Sequence, residues 1–298
     1  IKVDDEIKQE IIDYCCQNRL SVRAEADDNC NEFVHAPISL TPSPFAKEAY
    51  ENVVSVQVSM NQLVANLMNN IPRVRELLSE LGEKDEFVGG LLKISKAVEE
   101  YPYKQKGYLG ILRSDYMYDE ATHQPKLIEF NTIASSFGPL SWGINQLHQH
   151  LIEKYDTEVE TERIRREKNP KILTSDCLKE AYDLYFDQED ADPSQGIILV
   201  IIGKNERNVN DMGLILDRIS EVYKISSSYV RYDQVNQNSE IKEGKLYYEG
   251  KEVAVVYFRY GYDSEQYTCD DDWKARETLE VSQAIKCPSA DLQLLTFK

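Results

Sequence analysis

The chain has 298 residues, of which 42% are hydrophobic and 10% aromatic, so it can bury a sizeable core and is not a disordered polymer. Fifty-two acidic residues against 34 basic ones leave a net charge of −18. A field of that sign repels phosphate backbones, so we expect no nucleic-acid partner, although a local basic pocket for a nucleotide stays open. The longest apolar run, residues 196–203, is far shorter than the ~20 residues that span a bilayer, so no membrane partner is expected.

The cysteines indicate a compartment. There are six, they are scattered, and none forms a CxxC pair, so a zinc site is not expected. This pattern favours reduced thiols in the cytoplasm over disulfides in an oxidising compartment. No signal peptide is visible, but the sequence starts at Ile1 rather than Met, which leaves a processed, secreted protein as the alternative.

The first hundred residues are predicted to be mainly helical, because apolar residues recur at three- and four-residue spacing. The predicted helices cover residues 4–18, 44–69, 73–81 and 86–101. Ser43 and Pro44 are predicted to begin the second of these helices as its cap and its first residue.

The pattern changes near residue 108, where two strands and then two helices are predicted. Residues 107–118 and 126–132 have strand character and are joined by a polar turn that contains Pro125. The helices follow at 142–155 and 175–187.

A polar, acidic segment at 188–195, interrupted by Pro193, is the best candidate for a linker. The elements predicted beyond it are strands at 197–202 and 228–232, a helix at 211–224, a hairpin at 245–259 and a helix at 271–286. Strand–helix–strand alternation is typical of a parallel α/β sheet. The chain is therefore predicted to be a mixed α/β (α+β) protein with a body at 1–190 and a small α/β module at 191–298.

Several common catalytic motifs are missing. The sequence has no GxxxxGK[ST] loop, no GxGxxG after a strand, no GxSxG and no HExxH. The sequence therefore has none of the motifs that usually indicate a dehydrogenase or a hydrolase.

An acid and an amide stand two positions apart on the second predicted strand. Strand periodicity places Glu129 and Asn131 on the same face. Their oxygens suit Mg²⁺, which takes one or two protein oxygens together with phosphates. On spacing alone, a solvated strand face without a ligand is the alternative.

The neighbouring strand repeats this spacing with Arg113 and Asp115. If the strands pair, the guanidinium lies beside the expected metal face and can hold a substrate carboxylate through two hydrogen bonds. A surface ion pair worth under ~1 kcal/mol is the alternative.

Two segments with arginines follow strands of the predicted α/β module. Arg207 comes shortly after the first strand, and Arg259 comes at the end of the hairpin. Ligands of open α/β sheets gather beyond the carboxyl ends of strands, so an anion-binding cleft is predicted. Helix capping by Asn208 or Asn210, and a turn at Gly261, are the alternatives.

Together these segments resemble eukaryotic glutathione synthetase, an ATP-grasp ligase that joins γ-glutamylcysteine to glycine. The matching stretches occur in the family's order across nearly the whole chain, at residues 112–116 (LRSDY), 128–138 (IEFNTIASSFG), 205–211 (NERNVND), 253–262 (VAVVYFRYGY) and 273–288 (WKARETLEVSQAIKCP). The resemblance implies an ATP-grasp body with a helical N-terminal region and a small substrate-binding α/β module.

The resemblance also implies roles for single residues. Glu129 and Asn131 would bind Mg²⁺, Glu129 and Lys298 would contact ATP, and Arg113 would bind substrate and act with Glu129 in catalysis. The other implied substrate-binding residues are Ile133, Ala134, Ser135, Ser136, Glu206, Arg207, Asn208, Met212, Arg259, Tyr260, Gly261 and Tyr262. Family members are commonly homodimers, so the resemblance implies a homodimer.

Several features depart from the family pattern. Met212 lacks an amide that would contact the peptide, Tyr260 would add bulk inside the expected pocket, and Pro139 stands where Gly or Ala is usual. The glycine-rich phosphate-covering loop and a further Mg²⁺-binding Glu, which lie in the family's second half, are not in this sequence. We therefore expect no ligase turnover from these 298 residues alone.

The family chemistry activates the cysteinyl carboxylate as an acyl phosphate, which the glycine amine then attacks. It needs no enzyme nucleophile, and this sequence offers no activated Ser or Cys. Two alternatives stay open: a diverged paralogue with changed or lost peptide selection, and a non-catalytic module that binds a thiol peptide or a partner.

Overall fold

The computed structural model describes residues 4–25, 30–43, 45–105, 107–155, 169–188, 192–204 and 206–297. Helices and a mixed sheet make up this part of the chain, which confirms the predicted α/β class. No helix in it has the length and apolar character needed to cross a membrane.

The helices are α1 (Asp5–Gln17), α2 (Lys47–Met68), α3 (Ile71–Lys84), α4 (Glu86–Glu100), α5 (Gly138–Tyr155), α6 (Pro170–Gln188), α7 (Val209–Tyr223), α8 (Tyr232–Asn238), α9 (Asp270–Val281) and α10 (Ala290–Leu294). The strands are β1 (Ser21–Arg23), β2 (Phe33–His35), β3 (Arg113–Asp119), β4 (Gln124–Asn131), β5 (Ile197–Ile201), β6 (Ser226–Val230), β7 (Ser239–Lys242), β8 (Lys245–Tyr248), β9 (Lys251–Phe258) and β10 (Ile285–Cys287).

The chain divides into two compact units whose segments interleave along the sequence. The described residues of 1–44, 136–176 and 204–224 form the first unit, and those of 45–135, 177–203 and 225–298 form the second. The predicted domains, 1–190 and 191–298, have other bounds than these compact units, and the domain boundary between residues 190 and 191 stays a prediction.

The four helices predicted in the first hundred residues are present as α1 to α4. Two of them begin at an aspartate that accepts hydrogen bonds from the first turn: Asp4 from Ile7 N at 3.0 Å, and Asp85 from Phe87 N and Val88 N. Helix α2 begins at Lys47, and Pro44, the predicted first residue, lies outside the described residues.

The first unit contains α1, α5, α7 and the short antiparallel hairpin β1–β2. Its core brings Cys15 and Leu20 together with Leu147 and Leu151 of α5. The hairpin is absent from the sequence predictions, because strands of three residues are too short to reveal an alternating pattern.

The main sheet belongs to the second unit. Its strand order is β6-β5-β9-β8-β7, with β10 also paired to β9. Strand β5 runs parallel to β6 and β9, as predicted, while β7 and β8 form antiparallel pairs. Every residue of β5 is buried, which explains its unbroken apolar sequence.

The predicted helix at 271–286 is too long. It ends at Val281, where Ser282 adopts extended backbone, and residues Ile285–Cys287 form β10, parallel to β9. Helix α9 has one buried side and all three residues of β10 are buried, so the pattern of buried positions continues across the break. The predicted linker at 188–195 is interrupted in the described chain by residues 189–191, and its last part forms a short 3₁₀ turn at Pro193–Gln195.

Candidate functional site

The candidate site begins on the antiparallel ribbon formed by β3 and β4. Arg113 lies opposite Asn131, and Asp115 lies opposite Glu129. The register shifts directly after Asp115, so that Ile128 has no opposite residue. Such a bulge bends a strand and changes the direction of its side chains. The ribbon therefore places four polar side chains together at one end.

These four residues, Arg113, Asp115, Glu129 and Asn131, are called the ribbon cluster below. The Asp115 carboxylate accepts hydrogen bonds from Arg113 Nε at 2.8 Å and from Arg113 Nη2 at 3.0 Å. Asn131 Nδ2 donates to Asp115 Oδ2 at 3.1 Å and to Glu129 Oε1 at 3.3 Å. Asp115, which was predicted only as a possible ion-pair partner of Arg113, thus has the central position.

Glu129 and Asn131 lie on the same face of β4, as strand periodicity requires. The Asn131 amide nitrogen is engaged by two carboxylates, whereas its Oδ1 takes no hydrogen bond within the described residues. A carboxylate and an amide oxygen form a hard-oxygen donor set that fits Mg²⁺. Within the described residues, no group of three or more His, Cys, Asp and Glu side chains is suited to a metal.

Arg113 is 39% exposed and remains a cation. Its hydrogen bonds to Asp115 raise its pKa, an effect that burial opposes and that the Asp115 and Glu129 charges support. Nη1 makes no hydrogen bond in the described part of the chain, so it can donate to a carboxylate of a ligand.

The loop after β4 connects the ribbon cluster to Arg259. Ser135 Oγ lies 2.8 Å from Ile111 O and 3.1 Å from Asn131 O, and donates to them. Ser135 O accepts a hydrogen bond from Arg259 Nη1 at 3.1 Å. Ile133 packs against the core of the parallel sheet, and Ala134 has a φ of 50°. These predicted substrate residues are therefore brought close to Asn131 and Arg259.

Arg259 is buried, with 2% of its surface exposed. Its Nη1 also donates to Tyr257 OH at 3.1 Å, and the guanidinium carbon lies 5.7 Å from the centre of that ring. Tyr260, the next residue, packs its ring edge-on against Tyr232, with 5.7 Å between ring centres, and covers Gly203. The bulk predicted to enter a pocket is thus accommodated over a glycine, and a substrate contact of Tyr260 stays a prediction.

The turn predicted as the alternative role of Gly261 is present. Gly261 has a φ of +96°, which favours glycine. The N–H groups of Gly261 and Tyr262 both donate to Gln266 Oε1, at 2.7 and 2.9 Å, and Gly261 O accepts from Gln293 Nε2 at 2.9 Å. The sequence analysis does not single out Gln266. Its position shortly after a glycine turn was the one feature of the sequence that could have indicated it.

The remaining predicted substrate residues belong to the first unit. Glu206 Oε1 accepts a hydrogen bond from Asn208 N at 2.7 Å, and Arg207 donates to Arg23 O and Ala24 O at 3.0 and 3.1 Å. Both amide atoms of Asn208 are buried without a hydrogen-bond partner in the described structure, so the alternative role of a helix cap is not used. Such an amide can accept and donate to a ligand at once.

Two further positions complete the predicted set. Met212 is buried in α7, with 1% of its surface exposed, and Ser136 precedes the start of α5 in the same unit. Lys298, the predicted ATP contact, lies outside the described residues.

Comparison with known proteins shows to which family this chain is similar. Residues 2–282 match the family model described as eukaryotic glutathione synthase, ATP binding domain. The chain is 32% identical to the glutathione synthetase of Rattus norvegicus over 299 residues, which cover 99% of this chain and 61% of that protein. It is 31% identical to the glutathione synthetase of Xenopus laevis, covering 100% of this chain and 62% of the relative, and 31% identical to the chloroplastic enzyme of Solanum lycopersicum, covering 90% and 48%.

The fold is similar to that of a solved structure. A glutathione synthetase-like effector from Globodera pallida, in its apo form, superposes with a TM-score of 0.71 at 19% identity, over 99% of this chain and 64% of that one. The chain spans about three-fifths of the length of the Rattus and Xenopus relatives. With matching motifs along nearly its full length, the chain belongs to the eukaryotic glutathione synthase family, through that family's ATP-binding domain.

Proposed function

We propose that the protein containing this chain is an ATP- and Mg²⁺-dependent ligase of ATP-grasp type that joins γ-glutamylcysteine to glycine. The observation that carries the proposal is the ribbon cluster, in which two hard-oxygen groups lie beside an arginine. Family membership supports the same chemistry.

In this proposal, Glu129 and Asn131 hold Mg²⁺, and Arg113 holds a substrate carboxylate through its unused donors. When bound, Mg²⁺ neutralises negative charge on the phosphates of ATP. Arg259, Ser135 and Ile133 shape the substrate-binding surface beside the cluster. By the same family resemblance, Glu206, Arg207 and Asn208 are proposed to bind substrate, and Lys298 is proposed to contact ATP.

The reaction needs no nucleophile from the protein. An oxygen of the cysteinyl carboxylate attacks the γ-phosphorus, and ADP leaves. The glycine amine then attacks the acyl carbon, and phosphate leaves with the former carboxylate oxygen while the amine loses a proton. Rate enhancement in such a step comes from positioning and charge neutralisation, which charged and amide side chains supply.

A second candidate is a diverged ligase with a different acceptor or peptide. The observation that favours it is the buried, apolar Met212 at the position where the family places an amide. Leaving one buried polar group of a substrate unpaired costs ~1–3 kcal/mol, which is about fivefold to 150-fold in preference. The reaction class stays the same in this candidate, while the substrate changes.

Assembly and compartment belong to the same proposal. We infer a homodimer from family membership, and a cytoplasmic location from the thiols. All six cysteines, including the buried Cys15 and Cys287, are free in the structure.

The proposal is tested by glutathione formation, followed by mass spectrometry, and by phosphate release from ATP in the protein expressed from its own gene. We expect turnover with γ-glutamylcysteine and glycine, and a loss of about 100-fold or more in Glu129→Gln because a charge that acts in the transition state is removed. Arg113→Ala should raise the KM for the peptide, whereas Arg231→Ala, which removes an arginine from a similar Arg–Asp pair on α8, should not.

Each other outcome has a distinct meaning. Phosphate release with another amine, but not with glycine, would replace the first candidate by the second. Binding of the peptide without phosphate release under any combination would contradict both and indicate the non-catalytic module.

A further inference from the structure

We propose that Asp115 is a positioning residue that orients the Asn131 amide toward a cation and holds the Arg113 guanidinium at the same time. The inference rests on the proposed magnesium and substrate roles of those two neighbours. It assigns a function to the residue at the centre of the ribbon cluster.

The hydrogen bonds of Asp115 explain why it would not itself be the metal ligand. Oδ1 accepts from Arg113 Nε at 2.8 Å, and Oδ2 accepts from both Arg113 Nη2 at 3.0 Å and Asn131 Nδ2 at 3.1 Å. Both oxygens are therefore engaged, and the negative charge faces a guanidinium. A carboxylate so paired serves better as an anchor for its neighbours than as a ligand.

The orientation of the Asn131 amide matters because its two ends differ. The amide offers an oxygen at one end and a donating NH₂ group at the other, and only the oxygen can bind a cation. Nδ2 donates to Asp115 and to Glu129, which leaves Oδ1 as the end that the cluster does not use. Glu129 is itself a proposed metal ligand. When Glu129 binds a cation, Asp115 remains as the acceptor of the hydrogen bond from Asn131 Nδ2.

The same unit contains a second Arg–Asp pair, to which we assign no positioning role, and it serves as a comparison. Arg231 and Asp233 have the same two-residue spacing and the same pattern of donors, at 3.2 and 3.4 Å. Side-chain exposure is similar, at 37% and 49% against 39% and 34% for Arg113 and Asp115. Asp233 accepts no further side-chain hydrogen bond within the described residues. Asp233→Asn is therefore a matched control.

The test measures binding of Mn²⁺, used as a paramagnetic substitute for Mg²⁺, by the protein expressed from its own gene, in an electron paramagnetic resonance titration. We expect Asp115→Asn to weaken Mn²⁺ binding by about tenfold or more, as is typical when a residue that orients a metal ligand is changed. Asp233→Asn should leave binding unchanged. Thermal unfolding of both variants checks that they are folded.

A second background separates orientation from charge. In Asn131→Asp both terminal atoms are oxygens, so no orientation has to be selected. Adding Asp115→Asn to that background should weaken Mn²⁺ binding far less than it does in the unaltered protein. An equal loss in both backgrounds would show that Asp115 acts through its charge alone, and would overturn the proposal.

The remaining outcomes distinguish this inference from the proposed function. Normal Mn²⁺ binding by both the unaltered protein and Asp115→Asn would overturn the role of Asp115 and leave the magnesium site intact. No Mn²⁺ binding by the unaltered protein, with or without a non-hydrolysable ATP analogue, would overturn both.

Discussion

Arg259 joins the end of β9 to the loop that follows β4. Its buried guanidinium donates to a backbone carbonyl and to a tyrosine hydroxyl, so the side chain stabilises the protein as well as lying near the proposed substrate. The residue type was recognisable from its motif. Its contact with Ser135 was not, because Ser135 is distant along the chain and contacts Arg259 only after folding.

Replacing Arg259 should therefore lower stability. Arg259→Ala removes the donor to Ser135 O and to the Tyr257 hydroxyl, and we expect the free energy of unfolding to fall by about 1–3 kcal/mol. Urea denaturation measures this change. Arg231→Ala, at a partly exposed ion pair, should cost under ~1 kcal/mol. Equal losses in the two variants would contradict a special role for the buried arginine.

Gly203 and Tyr260 form a pair that the sequence could not reveal. A Cβ added at Gly203 would lie 2.6 and 2.7 Å from the Cε2 and Cδ2 atoms of the Tyr260 ring, closer than packed atoms approach. The sequence predicts that Tyr260 adds bulk inside a substrate pocket, and that role stays a prediction. Its ring also occupies the space that the missing Cβ of Gly203 leaves.

This pair predicts non-additive effects. Gly203→Ala should destabilise the protein by about 1–3 kcal/mol, since the ring must move. The same change in a Tyr260→Ala background should cost clearly less, because contacting residues show coupled effects. Gly213→Ala, where the nearest side-chain atom, Arg19 Nη1, is 3.7 Å from the added Cβ, should be neutral or stabilising. Additive losses at 203 and 260 would refute the pairing.

At the scale of elements, α1 and α5 are joined by one carboxylate. Glu10 accepts hydrogen bonds from Lys154 Nζ at 2.8 Å, from Tyr155 OH and from His150 Nε2 at 2.6 Å. The bonds to Lys154, Tyr155 and His150, in that order, lower the pKa of Glu10 to about 2. The Glu10 side chain is 22% exposed, so water still screens the interaction.

A lowered pKa in the folded state makes stability depend on pH. Glu10 contributes fully above the carboxyl's ordinary pKa of 4.5, and the contribution is lost as pH falls from there toward about 2. Glu10→Gln should therefore be less stable than the unaltered protein at pH 7, by about 1 kcal/mol, and the gap should narrow at pH 3. Urea denaturation at both values tests this, with the exposed Glu6→Gln as control. A gap that widens at low pH would contradict the sign.

The helices and strands also show which elements can be predicted from hydrophobic periodicity. Long amphipathic helices and the buried strand β5 were predicted because each repeats one pattern over many residues. Strand β10 was wrongly predicted as the end of a helix, because its three buried residues follow the helix with little change in the pattern of buried positions. The bulge after Asp115 had no sequence signal, since it depends on pairing with β4.

At the scale of the whole molecule, the predicted substrate residues divide between the two compact units. Ser136, Glu206, Arg207, Asn208 and Met212 belong to the first unit, and the ribbon cluster with Arg259 belongs to the second. Motifs in a linear order revealed the family, because family residues keep their spacing. They could not reveal this interleaved division, which depends on contacts between segments far apart in sequence.

Isotope transfer tests the central claim, that this protein activates a carboxylate with ATP, most directly. The protein expressed from its own gene is incubated with Mg²⁺, ATP, glycine and γ-glutamylcysteine that carries oxygen-18 in its cysteinyl carboxylate, and the phosphate released is analysed by mass spectrometry. Our account predicts one labelled oxygen in each phosphate released during ligation. Phosphate that takes its new oxygen from water alone would contradict it.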